Sequence, residues 1–105
     1  MVIISLDNMG TTTTLKIPNS SVRIIHSALE RELQILQINM DNTVNKLKKF
    51  EKKYNLSSAE FFQKYNEGDM GDSEDIMLWA SEYSALLEIR KEHGDLKKVL
   101  ASWNT

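Results

Sequence analysis

Few residues in this chain are of a type and spacing that could do chemistry. The 105 residues contain two histidines, His26 and His93, which lie far apart in sequence. His26 falls within an apolar seam, where a hydrogen-bonded imidazole, buried in the fold or at a dimer seam, is the expected role. Cysteine is absent, so disulfides, thiolate nucleophiles and thiolate metal sites are excluded. Asp69, Asp72, Glu74 and Asp75 form an acidic cluster. A calcium loop needs oxygens at alternate positions and a distal Glu, and this spacing does not supply them. Helix capping and solvation are the expected roles instead. No glycine-rich phosphate loop occurs, and no Ser, His and acid grouping has a recognisable spacing. Nothing points to a carboxylate pair for acid–base work. The expectation is a protein without catalytic, cofactor-binding or metal-binding residues, and so not an enzyme. The one dense charge feature is cationic: Lys46, Lys48, Lys49, Lys52 and Lys53, offset locally by Glu51. Such a run near a helix C-terminus suits the dipole and is read as a solvated face. A nucleic acid or an acidic partner patch is the functional alternative.

Composition is that of a soluble globular protein and names no function. The chain is 41% apolar and 27% charged, which is ordinary for one folded unit. Its net charge of −2 argues against a dedicated nucleic-acid binder, which is usually strongly basic. No apolar run reaches the roughly 18 residues of a membrane span. Val2-Ile3-Ile4 is too short for a signal peptide and lacks preceding basic residues. A cytoplasmic protein without membrane contact is expected, folded as a single domain over 1–105.

Low Pro and Gly content (one and four) suggests long uninterrupted elements. An N-terminal β arm is expected over 1–18. Val2 to Leu6 is apolar, Asp7-Asn8-Met9-Gly10 has turn composition, and Thr11 to Ile17 is rich in β-branched residues before Pro18. A hairpin, or one strand with a loose leader, follows. Thr12, Thr14 and Lys16 would share one face, and Thr13, Leu15 and Ile17 the other. A lone hairpin is marginal in water, so it must lie on a helix or pair across a dimer.

A long helix is expected over 19–54, with Asn19, Ser20 and Ser21 as N-cap candidates. Val22, Leu29, Leu33, Leu36, Met40, Leu47, Phe50 and Tyr54 recur at alternating steps of three and four once His26 and Thr43 are included. That is the seam of two helices packing at a shallow angle. The weak helix formers between Gln37 and Thr43 invite a kink or break. A second apolar stripe, Ile24, Ala28, Ile35 and Ile38, lies on the other side of the first half. Either the hairpin covers it, or a partner or second subunit does. These four residues are the expected partner or dimer surface, and a homodimer is expected.

A short helix over 57–66 is announced by Leu56-Ser57-Ser58-Ala59-Glu60-Phe61. Ser57 and Glu60 stand as a capping box, and Leu56 and Phe61 as a hydrophobic staple. After a Gly-containing connector, Asp72 or Ser73 caps a C-terminal helix over 73–103, broken near Gly94 or continuing through it. Ile76, Trp79, Ala80, Tyr83, Leu86, Leu87 and Arg90 share one side. Phe50, Tyr54, Phe61, Phe62, Tyr65, Trp79 and Tyr83 read as one aromatic core. The fold class is therefore mainly α: a short N-terminal strand or hairpin, a long helix, a short helix and a returning helix that makes an antiparallel hairpin with the first.

Two resemblances bear on function. Thr-Leu-Lys-Ile-Pro before a helix resembles the opening of ribbon-helix-helix proteins, in which a strand from each of two subunits forms a ribbon whose polar face enters the major groove. That resemblance implies DNA contact through Thr12, Thr14 and Lys16. Against it stand the length of the following helix and the strand's single basic residue. The second resemblance rests on Phe50-Glu51-Lys52-Lys53-Tyr54, Ser57-Ser58-Ala59-Glu60-Phe61, Gly68, Gly71-Asp72, Asp75 and Trp79. This stretch, within Lys46 to Tyr83, resembles small helical prokaryotic proteins of the antitoxin-like type, found beside small toxin-like partners in archaea and cyanobacteria. It implies a non-catalytic protein-interaction module, with a small toxin protein as partner and Ile24, Ala28, Ile35 and Ile38 as the surface. A stand-alone helical oligomerisation or adaptor protein is the alternative.

Overall fold

The structure is a computed structural model and describes residues 2–8 and 11–103, with side chains described at 14 and from 16 onward. Five elements follow one another: β1 (Val2–Asn8), β2 (Thr11–Ile17), α1 (Asn19–Tyr54), α2 (Ser58–Asn66) and α3 (Glu74–Ala101). The protein is mainly α, and α1 and α3 form an antiparallel, hairpin-like arrangement. The chain divides into two compact units, Met1–Leu36 with Glu92–Thr105, and Gln37–Lys91. Both α1 and α3 contribute to each.

In the first unit, β1 and β2 pair antiparallel, from Val2 opposite Ile17 to Asn8 opposite Thr11. The connection is therefore shorter than the composition of Asp7-Asn8-Met9-Gly10 suggested. Asp7 and Asn8 pair with Thr12 and Thr11, because a run of β-branched threonines extends the ladder opposite them. Met9 and Gly10 lie outside the described residues. On β2, Ile17 is buried while Thr14 and Lys16 are exposed, as the two-residue period requires. Helix α1 begins directly after Pro18, whose carbonyl accepts the Ser21 N–H at 2.9 Å. Asn19, Ser20 and Ser21 thus fill the first turn of α1 rather than capping it. Along α1, Val22, His26, Leu29 and Leu33 are half-buried and Leu36 is buried. The His26 ring meets Trp103 edge-on at 5.1 Å, so the end of the returning chain lies by the start of α1.

In the second unit, α1 passes through Gln37 to Thr43 as unbroken helix. Gln37 donates a hydrogen bond to Asp41 one turn on, at 3.1 Å. The chain then reverses twice by the same device. Asn55 takes a positive φ of 51°, and the Leu56 N–H reaches back to the Glu51 carbonyl at 3.2 Å. Gly68 repeats this at φ 82°, with the Asp69 N–H on the Lys64 carbonyl at 2.9 Å and the Gly68 N–H on Tyr65 at 3.0 Å. Both are left-handed C-terminal caps that satisfy the last carbonyls of a helix.

Ser57 caps α2 by accepting the Glu60 N–H at 3.2 Å. A second first-turn donor of α2 is satisfied from another helix. The Ser58 N–H donates to the carboxylate of Glu51 on α1, at 2.8 Å. Ser73 caps α3, accepting the Ile76 N–H at 3.3 Å. Helix α3 then runs without a break through Gly94.

The core of this unit is Leu47, Phe61, Ile76, Trp79, Ala80 and Leu86, with Met40, Val44, Phe50, Leu56, Phe62, Tyr65, Met70 and Tyr83 packed around it. Trp79 is fully buried. Phe61 stacks on it at 3.8 Å, with Tyr54 at 5.5 Å and Phe50 at 5.7 Å. Phe62 joins Tyr65 and Tyr83. Six of the seven expected aromatics belong to this core, while Tyr54 stacks on Trp79 from an exposed position at its edge. Leu87 and Arg90 are exposed, contrary to the stripe expected on α3. They lie beyond Tyr83, which meets Phe62 of the nine-residue α2. The rest of the expected stripe is covered, with Ile76, Trp79, Ala80 and Leu86 buried and Tyr83 half-buried, and beyond Leu86 the half-buried positions of α3 include Ile89, His93, Leu96 and Leu100.

Candidate functional site

The closest grouping of titratable side chains joins the last turn of α1 to the first turn of α3. Asp75 accepts hydrogen bonds from Lys53 and, at 2.8 Å, from the Tyr54 hydroxyl. The two donors hold the Asp75 carboxyl below the usual aspartate range, Lys53 first and Tyr54 second. The Lys53 ammonium is raised by its hydrogen bond to Asp75 and then by the carboxylate's charge. Tyr54 is raised as well, chiefly by its hydrogen bond to the same carboxylate. Each group is thereby fixed more firmly in its ordinary charge state at neutral pH. Acid–base and nucleophilic chemistry need the opposite, a lysine lowered or a carboxyl raised toward 7. The cluster is a tie between two helix ends.

The other titratable groups singled out in the sequence do not converge. His26 binds Glu30 one turn along α1, at 2.9 Å, and is about one-third exposed, so it is hydrogen-bonded as expected but only partly buried. Asp69, Asp72 and Glu74 are exposed, and Asp75 is committed to Lys53 and Tyr54. No cluster of three or more metal-ligating side chains occurs among the described residues.

The apolar stripe of α1 is open. Ile24 is 70% exposed, Ile35 49% and Ile38 58%, and Ala28 is exposed too. The hairpin therefore does not cover Ile24, Ala28 or Ile35 within their own unit. A step of four, then seven, then three places all four residues on one helical meridian. On β2, Thr14 and Lys16 are exposed, and the side chain of Thr12 lies outside the described residues. The strand that a ribbon-helix-helix protein would pair with its dimer mate is here paired with β1 of the same chain.

One feature was not legible as a site. A groove of about 300 Å³ opens in the second unit between α1 and α3. Lys46, Lys49 and Lys53 rim it from α1, Asp75 and Glu82 from α3, and Phe50 and Leu78 supply apolar surface. Lys46 meets Glu82 at 3.6 Å. As α1 advances from Lys46 to Lys53, α3 falls back equally from Glu82 to Asp75, so the walls are antiparallel. The sequence signal was the spacing of these three lysines, which puts them on one face while Lys48 and Lys52 point elsewhere.

No helix among the described residues is long and apolar enough to cross a membrane. Compared with known proteins, the chain matches no family model, no curated protein and no solved structure.

Proposed function

We propose that this protein is a non-catalytic interaction module that binds a small partner protein through the exposed apolar meridian of α1, as an antitoxin-like component of a two-protein system. The observation that carries the reading is the exposure of Ile24, Ile35 and Ile38 on a well-formed helix. Large β-branched side chains at helical spacing on one face are what a partner helix or segment covers.

Magnitudes favour a different protein over a second copy as the main occupant. Covering three half-exposed isoleucines contributes about 1 kcal/mol each. Two copies pairing through this face alone would gain about 6 kcal/mol, against an association cost of roughly 4–15 kcal/mol. A partner that also engages neighbouring surface has the greater gain. Self-association remains the second reading, favoured by a sheet whose two strands, among the described residues, pair only with each other.

The test is affinity capture of the tagged full chain from its host, with the partner identified by mass spectrometry and then produced alone. The reading expects a partner at fixed stoichiometry, toxic by itself, whose binding is lost in Ile35→Asp and Ile38→Asp. Capture of the chain alone, with a concentration-dependent dimer in sedimentation that the same substitutions dissolve, would replace it with the self-associating module. A partner retained unchanged by both variants would remove α1 from the interface.

A further inference from the structure

We propose that the groove between α1 and α3 in the second unit is a docking site for an acidic protein segment that presents one apolar side chain. The site is separate from the exposed isoleucines of α1, none of which lines it, and it does not depend on their role.

The lysine run that rims the groove is poorly compensated. Five lysines fall within Lys46 to Lys53, and Glu51 is the only acid among them. Glu51 is already engaged: its carboxylate accepts the Ser58 N–H at 2.8 Å and starts α2. It therefore offers the groove nothing, and it is not among the groove's lining residues. Within the groove, Asp75 takes Lys53, and Glu82 takes Lys46 at 3.6 Å. Lys49, between them on the same face, has no acid partner among the described residues. The Lys46–Glu82 pair is long and its lysine is 60% exposed, so it is weak and readily exchanged. The groove thus carries one unmatched cation and a second that is loosely held.

Beneath these charges the surface is apolar. Leu78 is 49% exposed, and Phe50 is fixed by its near-parallel ring contact with Trp79. A volume of about 300 Å³ is at the small end for a ligand pocket and takes one leucine- or phenylalanine-sized side chain. An occupant must therefore bring an apolar group and a carboxylate a few ångströms apart. A polyphosphate backbone does not fit this demand. Asp75 and Glu82 on the opposite wall repel closely repeated negative charge, and phosphate has no use for Phe50 and Leu78. A protein segment with a leucine flanked by glutamates matches both halves of the groove.

The experiment titrates the isotopically labelled full chain with a synthetic peptide carrying one leucine between glutamates, followed by NMR. Control probes are the same peptide with Leu replaced by Ser, the peptide with Glu replaced by Lys, and inorganic phosphate. The expected result is shifts confined to Lys49, Phe50, Leu78 and their neighbours, with the leucine peptide alone. Lys49→Glu should weaken binding about tenfold, and more at low than at high salt. Lys49→Gln serves as a milder second variant with the same expected direction. Lys48→Glu makes the same charge change one residue away, outside the groove, and should leave affinity within about twofold. The proposal is overturned if the groove does not respond to the leucine peptide. It is overturned equally if phosphate or the serine peptide gives the same shifts, or if Lys48→Glu and Lys49→Glu act alike.

Discussion

The residue that organises the second unit is Trp79. Its ring is fully buried among Phe61, Phe50 and Tyr54, and its indole N–H donates to the buried Ser58 hydroxyl at 2.9 Å. Ser58→Ala leaves that donor unpaired in the core, so equilibrium unfolding should show a loss of about 1–3 kcal/mol. Asp75 makes a prediction about pH. Its folded-state pKa is depressed, so its contribution is fully present above the usual aspartate range. It fades as pH falls through the lower folded value. Lys53 is raised, so its side of the contact persists below the usual lysine range and is lost as pH climbs through the raised value. Asp75→Asn should therefore be less stable than the parent at neutral pH, with the gap closing in acid denaturation curves. Much at this scale was legible: Ser57 as a cap, and the aromatics other than Tyr54 as a core. Glu51 as the acceptor for the Ser58 N–H was not, because the contact joins two helices through space.

At the scale of elements, the seam of α1 could be read because apolar residues occupy most of its steps. That of α3 could be read as far as Leu86 but not beyond, because half-buried Glu82 and His93 carry no apolar signal while exposed Leu87 does. The continuity of α1 through Gln37 to Thr43 was also hidden, since weak intrinsic propensity is overridden where neighbouring turns are packed. Two glycines give opposite predictions for the same substitution. Gly68 has φ +82° with open space where a Cβ would stand, so Gly68→Ala fails on backbone conformation alone, by about 1 kcal/mol. Gly94 lies inside α3, and an added Cβ meets nothing within 4 Å. Gly94→Ala should stabilise by about 0.5–1 kcal/mol. Thermal melts of the two variants should move in opposite directions.

For the whole molecule, the mainly helical class and the order of elements followed from apolar spacing and from the positions of Pro and Gly. The division into two compact units did not, because α1 and α3 run through both and no linker composition marks a boundary. The groove was missed for a related reason: a cationic run on one helix becomes a site only when Asp75, Leu78 and Glu82 arrive from another.

The two tryptophans fall one to each unit, Trp103 in the first and Trp79 in the second. The chain therefore carries an intrinsic optical reporter for each half. Trp79 in its stacked, apolar surroundings should emit to the blue and shift strongly red on denaturation, while half-buried Trp103, edge-on to His26, should start further red and change less. Single-tryptophan variants made by Trp103→Phe and Trp79→Phe would give two fluorescence transitions from one protein. Because no helix ends at the boundary between the units, the two curves should share one midpoint once each variant is referred to its own circular-dichroism melt.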